Sequence, residues 1–61
     1  MMLWHCEHEN EQGVTDYQVR VRATTEVGAE SLATSIARSS VDLGAQVKPD
    51  EGEWRCYGVE G

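Results

Sequence analysis

The spacing of apolar residues changes its period at Thr24 and Thr25. Before this point, residues 17–23 alternate between apolar and polar side chains, which is the period of a half-buried β-strand. After it, apolar side chains recur every three or four residues, as in an α-helix with one buried side. Each element has a single apolar side that must be covered, so the two periods together predict a helix packed against a sheet.

The helix is predicted to begin at Thr24-Thr25-Glu26 and to stop at Gly44. A threonine oxygen can accept hydrogen bonds from the free N–H groups of the first turn, and a glutamate there complements the helix dipole. Six positions at helical spacing form the predicted buried side: Ala29, Leu32, Ala33, Ile36, Ser40 and Leu43.

Two further strands are predicted on either side of this unit. Residues 3–8 alternate in the strand pattern, and the loop at residues 10–13 closes a hairpin with residues 17–23. Pro49-Asp50-Glu51-Gly52 predicts a turn, and residues 53–59 favour a final strand because they include Trp, Cys and Tyr. Residues 45–48 offer a fourth strand. The predicted fold is α+β, a single domain over residues 1–61 with an antiparallel sheet of three to four strands and one helix on one face (ββαβ or ββαββ).

The chain has 61 residues, and a chain of this length buries only roughly 60% of its unfolded surface. Such small domains commonly depend on a disulfide, a metal or a partner subunit. No apolar run approaches the roughly 20 residues of a membrane span, and no basic segment precedes an apolar one as in a secretion signal. A cytoplasmic location and reduced cysteines are therefore expected.

A Trp-x-Cys pattern occurs twice, in Trp4-His5-Cys6 and in Trp54-Arg55-Cys56. Residues two apart share one face of a strand, so Cys6 and Cys56 face each other if their strands are antiparallel neighbours. Free thiols packed in the core are the favoured interpretation, because unpaired cysteine is among the most buried residue types. A disulfide that closes a long loop is the alternative.

A zinc site would use Cys6, His8 and Cys56, with His5 as the fourth ligand, since thiolate and imidazole are zinc donors. Against it, His5 points to the opposite face from Cys6 in a strand, and the chain has no Cys-x-x-Cys pair. A zinc-stabilised miniprotein remains a second alternative, while no cofactor is predicted.

The sequence contains no set of residues typical of an active site. Cys6 lacks a well-placed base, and Glu7 and Glu9 would raise the pKa of its thiol and so disfavour the thiolate. Phosphate-binding, dinucleotide-binding and serine-hydrolase motifs do not occur, and a chain of this size has little room for a concave pocket. We therefore predict that the protein is not an enzyme.

Eleven acidic residues against five basic ones give a net charge of −6. This balance argues against binding to nucleic acid or to an anionic membrane, both of which require clustered Lys and Arg. The acids form two clusters, which predict attraction toward a basic protein surface. These clusters are Glu7, Glu9 and Glu11, and then Asp50, Glu51 and Glu53.

Arg20 and Arg22 are predicted to lie on the sheet face that the helix leaves open. Ordinary cross-strand pairing with Glu7 and Glu9 is one interpretation, each pair contributing at most roughly 1 kcal/mol. The other is a docking surface that includes His5 and the Tyr and Arg side chains enriched at protein interfaces. The predicted partner-binding residues are Glu7, Glu9, Glu11, Asp50, Glu51, Glu53, Arg20, Arg22, Arg55 and Tyr57.

The layout resembles that of small phage-encoded inhibitors, among them some anti-CRISPR proteins. The resemblance lies in size, acidity and the order of hairpin, capped helix (residues 24–33) and final segment (residues 51–58), and it assigns a role to no residue. It implies a phage or mobile-element origin and inhibition of a host protein complex in the host-cell cytoplasm.

The predicted function is a small acidic protein-binding module that docks on a basic, nucleic-acid-binding surface. The alternative is a homo-oligomeric structural or assembly protein, such as a homodimer joined through sheet edges or the helix face.

Overall fold

The computed structural model describes residues 1–40 and 47–59. Strands β1 (Met2–Glu9) and β2 (Thr15–Ala23) form a hairpin, helix α1 spans Glu26–Ser40, and strand β3 spans Glu53–Val59. The predicted α+β class is confirmed, in its three-stranded ββαβ form. No helix within the described ranges combines the length and apolar character that a membrane crossing requires.

The sheet has the order β2-β1-β3, so the first strand lies at its centre. β1 is antiparallel to both neighbours, and Cys6 lies opposite Val19 on one side and Cys56 on the other. The register with β2 shifts between His8 and Glu9, and this shift leaves Asp16 without a partner residue. The first and last strands are therefore antiparallel neighbours, which is the condition under which Cys6 and Cys56 face each other.

Thr25 is the residue that caps the helix. Its Oγ1 accepts a hydrogen bond from the Gly28 N–H at 3.0 Å, and its carbonyl accepts the first helical bond, from the Ala29 N–H at 3.0 Å. Glu26 follows as the acidic residue of the first turn. The predicted helix start is thus confirmed, with Thr25 in the capping position.

The buried side of the helix is a row of alanines, Ala29, Ala33 and Ala37, each at most 1% exposed. Leu32 and Ile36 are 45% and 38% exposed, so placing them in the core was wrong. Alanine allows the helix to lie close to the sheet, and the larger residues of the neighbouring row then extend past the contact. Ser40 is half-buried, while the predicted positions Leu43 and Gly44 lie outside the described residues.

Beneath the alanines lies a core of small side chains from all three strands. The buried strand members are Cys6, Val21, Ala23 and Cys56, and the partly buried residues packed around them are Trp4, Val19 and Trp54. The Trp4 indole N–H also donates to the Ala23 carbonyl at 3.0 Å, which holds the end of β2 against β1.

Cys6 and Cys56 form a disulfide across the two adjacent strands, with their Cα atoms 4.0 Å apart. The favoured prediction of free thiols is therefore wrong, and the alternative disulfide is correct. Directly opposed residues on antiparallel strands come close enough for this bond, so the strand register itself brings the sulfurs together. The expectation of a cytoplasmic location loses the support that it drew from reduced cysteines.

The fourth strand proposed for residues 45–48 does not form in the part that the structure describes, Val47 and Lys48. Val47 is buried, and the Lys48 carbonyl already accepts a hydrogen bond from the Glu51 N–H at 3.0 Å. The turn therefore begins at Lys48, and Val47 is the one described residue of this segment ahead of it. Residues 45 and 46 lie outside the described residues.

Candidate functional site

The two acidic clusters meet at one end of the sheet. Glu9 at the end of β1 lies opposite Glu53 at the start of β3. Glu11 and Glu51 line one open cavity of about 160 Å³ between the β1–β2 loop and the turn before β3. We call this region, formed by Glu9, Glu11, Asp50, Glu51 and Glu53, the acidic end.

The β1–β2 loop owes its shape to Asn10. Its side-chain Oδ1 accepts hydrogen bonds from the Gln12 N–H at 2.9 Å and from the Val14 N–H at 3.0 Å. Gly13 closes the loop with a φ of 79°, a left-handed conformation that side chains other than glycine rarely adopt. The loop predicted for residues 10–13 is confirmed, and it carries Glu11 at its tip.

The turn at residues 48–52 is held against the sheet from two directions. The Trp54 indole N–H donates to the Pro49 carbonyl at 3.0 Å. Gly52 has a φ of 76°, and a Cβ at this position would collide with the Glu9 carbonyl oxygen. Close packing of backbone on backbone therefore positions Asp50 and Glu51 beside the end of β1.

His8 lies beneath the acidic end and connects its parts. The side chain is 1% exposed. Its Nδ1 lies 2.6 Å from an Asp16 carboxylate oxygen, and its Nε2 lies 2.5 Å from the Glu51 carbonyl oxygen. The Trp54 ring covers it, with ring centroids 5.0 Å apart. One buried imidazole thus ties β1 to the start of β2 and to the turn before β3.

The two partners of His8 determine its protonation. A carbonyl oxygen only accepts, so Nε2 must donate to Glu51, and an ionised carboxylate likewise requires Nδ1 to donate to Asp16. Burial disfavours this doubly protonated form, but the hydrogen bonds to Asp16 and Glu51 outweigh it and raise the pKa of His8 above its ordinary value. Below this raised pKa, His8 is a charged structural link, with neither ring nitrogen left over to act as a base.

Basic side chains balance part of the charge at the acidic end. Arg55 Nη2 lies 3.8 Å from a carboxylate oxygen of Glu9 and 3.8 Å from one of Glu53. Lys48 Nζ lies 3.8 Å from Glu51. Within residues 1–40 and 47–59, Glu11 has no ion-pair partner. Long, exposed pairs of this kind restrain side chains only weakly, so the carboxylates stay available to a partner.

Asp50 is engaged differently from the other acids. Arg38, in the last turn of the helix, donates from Nε at 3.2 Å and also from Nη2 to the Asp50 carboxylate. These hydrogen bonds lower the pKa of Asp50 below its ordinary value. The pair connects the end of the helix to the turn. The Asp50 carboxylate therefore already has an intramolecular partner, unlike that of Glu11.

Glu7 and Tyr57 form a separate group on the open face of the sheet. The Tyr57 hydroxyl donates to Glu7, and this bond lowers the pKa of the carboxyl and raises that of the phenol. His5 Nε2 lies 3.4 Å from Glu7, and the His5 and Tyr57 rings stack with centroids 6.1 Å apart. Glu7 is therefore bound into the sheet face and lies apart from the acidic end.

Arg20 and Arg22 lie exposed on the open face, as predicted from the burial of Val21 beside them. Their expected pairing with Glu7 and Glu9 is wrong, because Arg20 lies opposite His5 and Arg22 opposite Leu3. Among the described residues, neither arginine makes an ion pair. Arg55 on β3 pairs with Glu9 instead, and Tyr57 and His5 contact Glu7. The predicted partner-binding residues thus divide between the acidic end, the Glu7–Tyr57 group and the exposed arginines.

The four zinc donors considered from the sequence are not brought together. Cys6 and Cys56 are joined to each other, His8 is occupied by Asp16 and Glu51, and His5 faces the opposite side of the sheet. No group of three or more His, Cys, Asp or Glu side chains in the described part of the chain is arranged to hold a metal ion.

The sequence analysis missed the role of His8 and did not consider Asp16. Strand alternation does place His8 on the same side as Cys6, and this was the available signal. The position of Asp16 depends on the register shift beside Glu9, which turns an otherwise outward residue toward the histidine.

Comparison of this chain with protein-family models, with curated protein sequences and with solved structures finds no match.

Proposed function

We propose that the protein is a small binding module that docks its acidic end on a basic protein surface. The observation that carries this proposal is the opposition of Glu9 and Glu53, which are 44 positions apart in sequence, because it brings members of the two acidic clusters into one negative surface. Carboxylates focused at one end of a small domain accelerate encounter with a positive partner and select its orientation.

Binding is favoured over catalysis by the state of the polar groups. The buried His8 uses both ring nitrogens for structural hydrogen bonds, and the only two cysteines are joined in a disulfide. The side chains left exposed at the acidic end are carboxylates, with Lys48 and Arg55 between them. They form a charged contact surface, while the cysteine sulfurs and the buried imidazole are engaged within the fold.

A more specific form of the proposal names the partner's surface as one that otherwise binds nucleic acid. Carboxylates presented at the end of a rigid domain can replace phosphates against Lys and Arg side chains. The resemblance to small phage-encoded inhibitors points in the same direction, and the partner would then be a component of a host protein complex.

The test separates local charge from net charge. The variant Glu11→Gln/Glu51→Gln and the control Glu26→Gln/Glu30→Gln change the net charge equally, but only the first lies at the acidic end. Affinity capture from host lysate with the wild-type protein identifies the partner. Binding of the purified partner to each variant is then measured across a series of salt concentrations.

We expect the Glu11/Glu51 variant to lose about tenfold or more in affinity and to show a weaker salt dependence, with the control close to wild type. Equal losses in both variants would mean that net charge alone drives binding, and no loss in either would place the docking surface elsewhere. The more specific proposal, that the partner's surface otherwise binds nucleic acid, further requires that the wild-type protein displaces nucleic acid from the partner.

A further inference from the structure

β2 is an edge strand of nine residues, and no described residue pairs with its outer side. The Cα separation of 4.0 Å between Cys6 and Cys56 is that of a narrow, non-hydrogen-bonded pair. The backbone groups of Cys6 therefore point toward Val19 on β2. Alternate residues of β2, among them Gln18 and Arg20, direct their N–H and C=O groups outward to the free edge.

Two exposed apolar residues of the helix, Leu32 and Ile36, lie on the flank above this edge. Arg38 contacts Asp50 in the turn that leads into β3, which identifies the helix flank nearer β3. Leu32 and Ile36 belong to the row on the other side of the alanines. The same row begins at Gly28, where a Cβ would lie 3.6 Å from the Cβ of Ala23 in β2. The outer edge of β2, which no residue of the described ranges pairs with, and two half-exposed aliphatic side chains therefore form one continuous surface.

The charges along β2 fit a second copy of the same chain. One end of the strand adjoins the acidic end, and Arg20 and Arg22 lie toward the other. Antiparallel pairing of two β2 strands brings the arginines of each copy toward the acidic end of the other. The local charges of the two copies are therefore complementary in this arrangement, while the net charge of −6 on each copy opposes association in any arrangement.

The arginines also select a register. With the two-fold axis at Val19, Arg20 lies opposite Gln18 of the second copy, and no arginine faces another. An axis at Arg20 would place that residue opposite itself, and an axis at Val21 would place Arg20 opposite Arg22. Like charges directly opposite each other destabilise a strand pair. Of the registers that keep the arginines apart, the one centred on Val19, the middle residue of Thr15–Ala23, pairs the whole strand and is favoured.

We propose that the protein forms a two-fold dimer through antiparallel pairing of β2 around Val19, with Leu32 and Ile36 of both copies packed together beside the joined strands. The product is a continuous six-stranded sheet with both helices on one side and the two acidic ends far apart. The dimer does not depend on the docking function proposed above, and it leaves both acidic ends accessible.

Sedimentation equilibrium of the whole chain, from about 1 µM to about 1 mM, tests the association over the range of a modest interface. The mass should rise with concentration from 6.8 kDa toward twice that value. Leu32→Glu and Ile36→Glu should each raise the dissociation constant by about tenfold or more. Val27→Glu is the matched control, because Val27 is 76% exposed on the other flank of the helix, and it should leave the constant unchanged.

Hydrogen exchange on the wild-type protein tests the strand edge without any substitution. The Arg20 amide should gain about tenfold or more protection as concentration rises, while the Cys56 amide on the outer edge of β3 should exchange at a constant rate. A monomer at every concentration would overturn the proposal. So would a dimer that protects Cys56 in place of Arg20, or one that Val27→Glu disrupts as strongly as Ile36→Glu. Circular dichroism identifies any variant that fails to fold. In that case the hydrogen exchange of the wild-type protein alone decides whether the proposed dimer forms.

Discussion

The covered face of the sheet and the acidic end are stabilised by different kinds of interaction. Under the helix, the contacts come from small side chains: Ala29 and Ala33 lie over Val21, Ala23 and the Cys6–Cys56 disulfide. At the acidic end, a buried charged His8 and hydrogen bonds to turn carbonyls hold together segments that have few apolar atoms.

The difference shows how a chain too short for a large core maintains a defined shape. The small side chains of the covered face bury little apolar area each, and a covalent bond adds what their packing lacks. The acidic end gains its order from directional hydrogen bonds, which require particular protonation states and backbone conformations. Redox conditions should therefore act mainly on the first region, and pH and glycine substitutions mainly on the second.

The largest expected effect comes from opening the disulfide. Its cysteines are 50 residues apart, and closure of a loop of this size stabilises a fold by roughly 4 kcal/mol in the chain-entropy model. Thermal unfolding by circular dichroism, with and without a thiol reductant, measures the loss. Cys6→Ala/Cys56→Ala is the control. Its melting temperature should be close to that of the reduced wild type and should not change when the reductant is added. A wild-type melting temperature that the reductant leaves unchanged would contradict this account of the covered face.

The second effect concerns His8. Replacing it with glutamine leaves Asp16 without its charged donor, and the loss should be about 2–3 kcal/mol. His5→Gln is the matched control, because His5 lies on the open face, and it should destabilise the protein much less. Chemical denaturation of the two variants compares these losses, and equal losses would refute the structural role of His8.

His8 also makes stability depend on pH. A group whose pKa is raised on folding stabilises the native state, and this contribution is complete at pH values below the group's ordinary pKa. That contribution disappears as pH rises through the folded-state pKa, so wild-type stability should fall between mildly acidic and mildly alkaline pH. The fall should be absent or much smaller in His8→Gln, and NMR titration of the His8 ring in the wild type should show the raised pKa directly.

The third effect compares two glycines with left-handed backbones, Gly52 and Gly13. Gly13→Ala should cost about 1 kcal/mol, because the site is open and only the backbone conformation is strained. Gly52→Ala should cost more, about 2–3 kcal/mol, because its Cβ also meets the Glu9 carbonyl. Denaturant midpoints of the two variants provide the measurement. Equal midpoints would mean that the turn moves away from β1 without loss.

Much of the fold was predictable because the period of the apolar residues changes where the structure changes. The alternation in residues 17–23, the Thr25 cap and the glycine-containing turns each have a local physical cause, and each appears in the structure. The meeting of the acidic clusters also follows from local pattern, once the first and last strands are antiparallel neighbours.

The remaining features depend on choices that local pattern does not determine. Alanine and leucine rows lie side by side on a helix, and only the distance between helix and sheet decides which row is buried. The same two cysteines are compatible with thiols or a disulfide, and the strand register together with redox conditions selects between them. The His8–Asp16 pair depends on a one-residue shift in the pairing of β1 with β2, and no residue of the hairpin loop predicts this shift.

The smallest effect tests the choice of helix row. If Ile36 were in the core, Ile36→Ala would cost about 2–5 kcal/mol. Because its side chain is 38% exposed and alanine is the better helix former, the loss should be about 1 kcal/mol or less. Ala33→Leu, which enlarges a side chain that has no exposed surface, should cost more, about 1–3 kcal/mol.

The two variants are compared by denaturant unfolding at low protein concentration, where the proposed dimer is dissociated. Raising the concentration should increase the loss from Ile36→Ala, because a second copy would then cover Ile36 in the wild type. A loss above that of Ala33→Leu in the dilute protein would mean that the helix is rotated toward the leucine row, and the alanine contact would then be wrong.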